Sequence, residues 1–419
     1  MRSFEKPLYD FSIRTFSKLA DISKGTHLKL EKLVEGRKEL FEKLEQFRVG
    51  FKKPVVWFHV ASLGEFEQAK PVIGQFRKRF SEYGIVVSFF SPSGFDHVNR
   101  KPQEDIDFIT YLPFDTPGNA KRFLEILNPQ LAFFVKYDLW ANHILEARNR
   151  NIPLFLFSAS MRDEQIYFKS YGGFFRKILF SFDHIFCQNE RTQKLLESAG
   201  YQETSITGDT RYDRVHEVAG HPKSFPELEP YFGNNPTIVA GSVWEEDMKL
   251  IVPLINESKH CRWIIAPHDI DPGQISSWQQ RIQRTSLKYS ELPTNSNVEV
   301  IIIDNIGMLS ALYQFAKIAY VGGAFGKGLH NILEPLAYGI PVIYGKLQKP
   351  GKFPEAAISE SFGCSFQVND FQEFQKIVQS LSDETVYHIA QNGAQKLMNE
   401  NLGSSKKILD RVMSILDNK

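Results

Sequence analysis

Residues 318–345 constrain the fold more than any other stretch of this chain. An apolar run at 318–321 has the composition of a buried strand, and four glycines fall within the next seven positions. His330 then opens a segment with helical spacing of apolar residues, and Gly339 ends it before a second apolar run. A strand, a glycine-rich loop, a helix and a strand in this order predict part of a parallel α/β sheet.

The glycine-rich loop is a candidate nucleotide-binding site. Gly322 and Gly323 lie between a strand and a helix, where a bare backbone can approach a ligand and a helix N-terminus attracts phosphate. Glu334 could accept hydrogen bonds from ribose hydroxyls, and Asn331 could reach a phosphate or the sugar. The spacing matches neither the dinucleotide fingerprint nor the Walker motif. A glycine-rich loop followed by a simple helix cap is the alternative.

The residues after the loop resemble a known family. Positions 330–342 fit the pattern H-N-x-x-E-P-x-A-x-G-x-P-V, which is similar to the C-terminal donor-binding motif of GT-B glycosyltransferases. With Gly322-Gly323 before it, the segment resembles the Kdo transferases, which move 3-deoxy-D-manno-octulosonic acid (Kdo) from CMP-Kdo onto a lipid A precursor. Further motifs of this family follow one another in order over about residues 30–400.

Length and composition limit the class of protein. A chain of 419 residues is too long for one ordinary core, so two domains are expected. The formal net charge is +1, and we therefore expect no nucleic-acid partner. Three widely spaced cysteines fit a reducing cytoplasm and neither a disulfide scaffold nor a zinc site. No cleavable signal or 18-residue apolar run is present, so we expect no transmembrane segment.

Residues 1–50 are predicted to form two helices that stand apart from the first domain. Apolar side chains on one face of the first helix are Phe4, Leu8, Phe11, Leu19 and Ile22. Positive charge comes from Arg2, Lys6, Arg14 and Lys18. Such a helix could lie on an anionic membrane surface, and we expect peripheral contact with the cytoplasmic face of the inner membrane. An amphipathic helix packed on its own domain is the alternative, and relatives often begin with a more hydrophobic anchor.

Glu65 is the best candidate for catalysis. It follows a predicted strand at 55–60 and a turn, and the helix dipole should keep a carboxylate in the first helical turn ionised near neutral pH. There it could take the proton of an attacking sugar hydroxyl. A capping carboxylate paired with Ser62 is the alternative. The resemblance favours catalysis, because H-x-A-S-x-G-E is the motif that holds the family's catalytic glutamate, and it implies substrate contacts at Ser62 and Gly64.

Two further motifs of the predicted first domain carry charge. Residues 136–140 follow a predicted strand and are similar to the family's K-x-E-x-W, with Asp138 at the acidic position. The resemblance implies that Asp138 helps to stabilise the transition state, and a helix N-cap is the alternative. Residues 206–213 resemble T-G-N-x-K-x-D, with Asp209 in place of Asn and Arg211 in place of Lys. Arg211 would then face a departing phosphate or the Kdo carboxylate.

Two other features of this domain could serve either substrate binding or the packing of the protein. His59 ends the same strand as the Glu65 motif, and it could orient substrate or be a satisfied core histidine. Residues 158–177 interleave basic and aromatic side chains, which could receive the phosphates and acyl chains of a glycolipid. A solvated helix with one aromatic face on the core would show the same pattern.

The second domain is predicted to hold the donor. The donor-binding residues that the resemblance implies are Gly241, Ser242, Pro267, His268, Ile306, Gly307, Met308, Gly322, Gly323, His330, Asn331 and Glu334. Relatives usually show Pro-Arg-His where this chain has Pro267-His268, which leaves His268 or backbone amides to hold CMP. Asp269 and Asp271 mimic the D-x-D metal motif of GT-A transferases. The surrounding pattern is GT-B and CMP has a single phosphate, so we expect no metal.

We therefore expect an α/β protein of GT-B architecture, with two Rossmann-like, doubly wound parallel-sheet domains facing a central cleft. The predicted segments are N-terminal helices at 1–50, an acceptor domain at 51–220, a donor domain at 237–404 after a linker rich in proline, and a C-terminal helix at 405–419 that crosses back.

The expected activity is inverting transfer of Kdo from CMP-Kdo to a lipid A precursor. Glu65 would act as the base, Asp138 and Arg211 would steady the developing charge, and no cofactor is expected beyond the donor substrate. A UDP-sugar transferase, a UDP-N-acetylglucosamine epimerase and a non-catalytic nucleotide-sugar-binding protein remain alternatives.

Overall fold

The computed structural model describes residues 5–22, 28–232, 235–292 and 297–418. Arg2 and Phe4, which belong to the predicted amphipathic face, lie outside these ranges. The chain divides into two compact units, one formed by Met1–Arg214 with Gly403–Lys419 and the other by Val215–Leu402. Each unit contains a seven-stranded sheet.

All recorded strand pairs in the two sheets are parallel. The first sheet contains β1 (Val55–Val60), β2 (Gly84–Phe89), β3 (Phe108–Tyr111), β4 (Pro129–Val135), β5 (Leu154–Ala159), β6 (His184–Cys187) and β7 (Thr204–Ile206). The second contains β8 (Thr237–Val243), β9 (Arg262–Pro267), β10 (Ser286–Lys288), β11 (Val300–Ile302), β12 (Ile318–Val321), β13 (Val342–Gly345) and β14 (Ser365–Val368). Their orders are β3-β2-β1-β4-β5-β6-β7 and β10-β11-β9-β8-β12-β13-β14. The prediction of doubly wound parallel sheets is confirmed.

Helices connect the strands. In chain order they are α1 (Glu5–Ile22), α2 (Leu28–Glu35), α3 (Leu40–Gly50), α4 (Leu63–Arg79), α5 (Pro92–Asn99), α6 (Pro117–Leu127), α7 (Ala141–Asn149), α8 (Gly173–Leu179), α9 (Glu190–Ser198), α10 (Thr210–Gly220), α11 (Glu229–Phe232), α12 (Glu245–Glu257), α13 (Pro272–Arg281), α14 (Leu309–Leu312), α15 (Leu333–Ala337), α16 (Pro354–Ser361), α17 (Phe371–Ser380), α18 (Glu384–Asn401) and α19 (Ser404–Asp417). Short 3-10 helices occur at Ile166–Phe168, Tyr289–Glu291, Tyr313–Phe315 and Pro350–Lys352.

The central strands of the first sheet are buried on both faces. Along β1, Trp57 packs into one hydrophobic cluster, and Val56 and Phe58 pack into another on the opposite face. A strand covered on both faces has no solvent side, which explains why its sequence is a continuous apolar run and does not alternate. Parallel pairing brings the ends of β1 and β4 together, with His59 opposite Phe134. Side chains that follow these strands therefore meet at one edge of the sheet.

The C-terminal helix α19 belongs to the first unit. Its Ile408 and Leu409 join the core face that α4 covers. Asp213 holds the start of α19, because its two carboxylate oxygens accept hydrogen bonds from the N–H groups of Gly403 and Ser405, each at 2.7 Å. The stretch at 217–236, predicted as a linker, contains the end of α10 and the whole of α11.

Helix α1 has one face on its own unit and another in solvent. The Tyr9 hydroxyl donates to Asp115 at 2.6 Å, and the Tyr9 ring lies 5.6 Å from that of Phe174. The exposed apolar row consists of Leu8 (65% exposed), Phe11 (67%), Leu19 (57%) and Ile22 (78%). Among the described helices, none combines the length and the apolar character that a membrane span requires.

Replacing Asp213 with alanine should destabilise the first unit by about 1–2 kcal/mol, because two N–H groups at the start of α19 lose their acceptor. Chemical denaturation followed by tryptophan fluorescence measures this change. Asp410→Ala is the matched control, since it removes only a half-exposed ion pair between α19 and Arg79 and should cost about 0.5 kcal/mol or less. Equal effects of the two variants would contradict the role of Asp213.

Candidate functional site

Glu65 lies in the first turn of α4, immediately after β1. The Ser62 hydroxyl oxygen accepts a hydrogen bond from the Glu65 N–H at 3.4 Å. The Glu65 carboxylate accepts one from the Ala61 N–H at 2.5 Å. Helix capping and a candidate catalytic position therefore coincide, and the capping alternative does not exclude a chemical role. A Cβ added to Gly64 would lie 4.0 Å from the Ser62 hydroxyl oxygen, an ordinary van der Waals distance.

The electrostatic environment of Glu65 differs from the prediction. Burial and, to a smaller extent, the negative charge of Asp138 raise its pKa to about 7, although the Ala61 N–H, Lys136 and the Ser62 N–H oppose the shift. The expectation that the helix dipole keeps this carboxylate fully ionised is wrong, because the cost of desolvation is larger. A carboxylate with a pKa near the working pH is well suited to accept and release a proton.

Asp138 is held beside this carboxylate by an indole. The Trp140 Nε1–H lies 2.9 Å from the Asp138 carboxylate and 2.9 Å from His59 Nε2. Asp138 itself lies 3.4 Å from the same histidine nitrogen. Since Trp140 is the residue that precedes α7, the interpretation of Asp138 as a helix N-cap is wrong. Its carboxylate is directed to the same edge of the sheet as Glu65.

His59 is a satisfied core histidine. Its Nδ1 lies 2.9 Å from the Ser88 hydroxyl, which also accepts a hydrogen bond from the Trp57 Nε1–H at 2.8 Å. Burial lowers the pKa of His59, so the imidazole is neutral. Its second nitrogen contacts Trp140 and Asp138, which makes His59 a support for the acidic side chain. Nothing in the sequence indicates Ser88, because a serine inside an apolar strand carries no signal of its partner on the neighbouring strand.

Arg211 lies at the start of α10, in the same unit as Glu65. Its Nε donates to the Asp209 carboxylate at 2.7 Å, and its backbone N–H donates to the other Asp209 oxygen at 2.9 Å. Asp209 and Arg211 are the two positions where the chain departs from the family's T-G-N-x-K-x-D. The departures compensate each other, because the added negative charge pairs with the guanidinium.

In the second unit, Asn331 and Glu334 lie side by side. The Asn331 side-chain amide donates to Glu334 at 3.1 Å, and its oxygen accepts a hydrogen bond from the Leu333 N–H at 3.2 Å. This local bond delays the helix, which begins at Leu333 and not at His330 as predicted. The pair presents an amide and a carboxylate near one another, and both groups can form hydrogen bonds with hydroxyls.

Gly322 in the loop and Gly241 in β8 are tightly enclosed by the protein's own atoms. A Cβ on Gly322 would lie 2.5 Å from the Ser242 carbonyl oxygen and 2.7 Å from the Asp247 carboxylate. A Cβ on Gly241 would collide with the Tyr313 hydroxyl. The protein's own atoms therefore exclude any side chain at both positions.

Asp247 ties the loop to the start of α12. Its carboxylate accepts hydrogen bonds from the Trp244 N–H at 2.8 Å, the Gly323 N–H at 3.0 Å and the Tyr320 hydroxyl at 2.8 Å. The residue is fully buried, and burial raises its pKa. The helix-start spacing Trp-x-x-Asp is visible in the sequence, but its bond to Gly323 is not.

Three rings meet beside this loop. The Trp244 Nε1–H donates to His330 Nε2 at 3.2 Å, and the His268 ring lies 4.3 Å from the Trp244 ring and 4.4 Å from that of His330. Burial and the nearby His268 lower the pKa of His330 to about 4. Two of the predicted donor residues are thus brought together, and Trp244 joins them.

The remaining predicted donor residues lie at or beyond the ends of strands in the same unit. Pro267 ends β9, and Ser242 has a positive φ of 52° at the bulge near the end of β8. Ile306, Gly307 and Met308 form the loop that leads into α14, where Ile306 is exposed and Met308 is buried. In the described ranges, no group of three or more histidine, cysteine or acidic side chains could hold a metal ion. Asp271 of the D-x-D pattern caps α13 by accepting the Gln274 N–H.

Comparison with known proteins bears on this geometry. The family model described as 3-deoxy-D-manno-octulosonic-acid transferase (kdotransferase) matches residues 37–214. A protein of that name from Rickettsia bellii is 25% identical over 401 residues, covering 92% of each chain. Another, from Aquifex aeolicus, is 29% identical over 338 residues, covering 79% of this chain and 87% of its own. The chain is therefore similar to Kdo transferases over most of its length.

Solved structures show the fold of this chain. A UDP-N-acetylglucosamine 2-epimerase superimposes with a TM-score of 0.61 at 15% identity, covering 88% of this chain and 98% of its own. A glycosyltransferase from Rickettsia africae superimposes with a TM-score of 0.57 at 15% identity, covering 88% and 100%. The fold is GT-B, as the motifs predicted.

Replacing Asp138 with asparagine should lower the pKa of Glu65 below about 7, because it removes a neighbouring negative charge from a buried carboxyl. The carboxyl ¹³C shift of Glu65, assigned by its loss in Glu65→Gln, measures this titration. Asp163→Asn, at an exposed surface carboxylate, is the control and should leave the titration unchanged. A Glu65 pKa that stays at about 7 in Asp138→Asn would contradict the coupling.

Proposed function

We propose that this chain is an inverting glycosyltransferase that moves Kdo from CMP-Kdo onto a lipid A precursor in lipopolysaccharide biosynthesis. The observation that carries the proposal is the buried Glu65, with its pKa raised to about 7 beside Asp138, in the family's glutamate motif. The two relatives named 3-deoxy-D-manno-octulosonic acid transferase support the choice of sugar.

In the proposed reaction, ionised Glu65 takes the proton of the acceptor hydroxyl as its oxygen attacks the anomeric carbon of Kdo. The bond from that carbon to the CMP phosphate oxygen breaks, and CMP leaves with the electron pair on the face opposite to attack. Asp138, fixed by Trp140, offers negative charge to the positive sugar of the transition state. Arg211 offers positive charge to the departing phosphate or the Kdo carboxylate.

The second unit is proposed to bind the donor. Asn331 and Glu334 would hold the ribose, and His268 and His330 would lie against the nucleotide. The backbone at Gly307, with its positive φ of 90°, would contact the nucleotide as part of the loop before α14. A CMP leaving group carries one phosphate, which these groups could hold without a metal ion.

The acceptor side is proposed to meet a membrane. The exposed row Leu8, Phe11, Leu19 and Ile22 would lie in the headgroup region of the cytoplasmic face of the inner membrane. Tyr9 keeps α1 attached to its unit through Asp115, so contact with lipid does not require the helix to detach. Phe174, in the basic and aromatic stretch at 158–177, packs against Tyr9 of α1, and we propose that the cations of this stretch take part in the same contact.

Replacing Glu65 with glutamine should reduce Kdo transfer about 100-fold or more, because the amide cannot accept the proton. Transfer from radiolabelled CMP-Kdo to tetraacylated lipid A precursor measures the rate, and isothermal titration calorimetry should show donor binding largely retained. Glu67→Gln is the matched control, since Glu67 lies two residues away on α4 and binds Lys70 and Arg214.

Near-normal transfer by Glu65→Gln would remove Glu65 from the mechanism. Conversion of UDP-N-acetylglucosamine by the unaltered protein, without any transfer from CMP-Kdo, would replace the proposal with an epimerase. Nucleotide binding without release of CMP in the presence of acceptor would indicate a non-catalytic protein.

Changing both Leu8 and Phe11 to glutamate should reduce binding to anionic vesicles several-fold, because the exposed apolar row then carries charge. Co-sedimentation with phosphatidylglycerol vesicles measures the bound fraction. The matched control changes Val386 and Ile389 to glutamate, which are also exposed but lie on α18 of the other unit. Equal binding by all three proteins would contradict membrane contact through α1.

A further inference from the structure

A cavity of about 350 Å³ opens between the glycine-rich loop and the start of α12. Trp244 and Phe325 supply aromatic surface, and Glu246, Gln274 and Lys327 supply polar groups. The cavity lies wholly within the second unit, and the roles assigned so far leave Glu246, Gln274 and Lys327 without a function.

Lys327 brings a fixed positive charge to this cavity. Its ammonium lies 3.8 Å from the centre of the Trp244 ring. The His268 ring stacks on Trp244 at 4.3 Å, so the indole contacts both a ring and an ammonium. Within the ranges that the structure describes, no carboxylate lies within 4.0 Å of this ammonium. The cation–π contact orients the charge without neutralising it.

The acidic groups around the cavity are mostly occupied. Glu245 pairs with Arg281 at 2.8 Å and accepts a hydrogen bond from the Trp278 Nε1–H at 2.6 Å. The three hydrogen bonds to Asp247 come from the protein itself. Glu246 and Gln274 remain on the cavity wall, where their oxygens could accept hydrogen bonds from hydroxyl groups.

One ammonium, one carboxylate, one carboxamide and two aromatic walls match a sugar that carries both hydroxyls and a carboxylate. Lysine binds a carboxylate through a charge-assisted hydrogen bond, and Glu246 and Gln274 suit hydroxyls. Trp244, which lines the cavity, also donates to His330, and His330 immediately precedes the Asn331–Glu334 pair of the proposed ribose site in the chain.

We propose that this cavity binds the sugar of the donor and that Lys327 binds the sugar's carboxylate. The inference rests on the proposed function and adds to it the residue that distinguishes an acidic sugar from a neutral one. Trp244 is then a positioning residue, because it holds the ammonium on one face and is itself held by His330 and His268.

The test compares two ligands that differ by the acidic sugar. Replacing Lys327 with methionine should weaken CMP-Kdo binding about 10-fold or more and leave CMP binding within about two-fold, because only CMP-Kdo carries the carboxylate. Lys327→Arg should restore most of the lost affinity. Lys376→Met, at an exposed lysine on α17 of the same unit, is the control and should bind both ligands normally. Isothermal titration calorimetry on the full chain measures the affinity of the unaltered protein and of each of the three variants for both CMP and CMP-Kdo.

Unchanged CMP-Kdo binding in Lys327→Met would overturn the inference. Equal weakening of CMP and CMP-Kdo would also overturn it, since Lys327 would then contact the nucleotide and not the sugar. An unaltered protein that binds UDP-N-acetylglucosamine and fails to bind CMP-Kdo would instead remove the proposed function on which the inference rests.

Discussion

The parallel register of the two sheets is the constraint on which both candidate sites depend. In the first unit, pairing of β1 with β4 places Glu65 and Asp138 beyond neighbouring strand ends, although 73 positions separate them in the chain. In the second, pairing of β8 with β12 sets Gly241 opposite Val321 and brings Ser242 against Gly322. Chemically active residues collect at these edges because every strand of a parallel sheet ends there.

Desolvation then decides what these residues can do. At Glu65 burial opposes the helix dipole and the Ala61 N–H, and the result is a pKa of about 7. His59 is made neutral by the same effect and becomes a support for Asp138. In the second unit, burial keeps His330 neutral, so it can accept the hydrogen bond from Trp244.

Sequence reasoning was most successful where one local pattern determines the outcome. The strands Val55–Val60 and Ile318–Val321 have the bounds that their apolar runs predicted. It failed where a distant residue decides the result. The raised pKa of Glu65 depends on Asp138, the capping of α19 depends on Asp213, and the need for glycine at position 322 comes from Ser242 and Asp247. Each of these partners lies far away in the sequence, so no local pattern could reveal it.

The stereochemistry of transfer tests the account most directly. If Glu65 acts as a base on the acceptor hydroxyl, the sugar is displaced once, and its anomeric configuration must be inverted relative to the donor. Nuclear magnetic resonance of the isolated product, compared with that of CMP-Kdo, determines the configuration. The account predicts inversion. Retention of configuration would show a covalent or front-face route and would contradict the role given to Glu65.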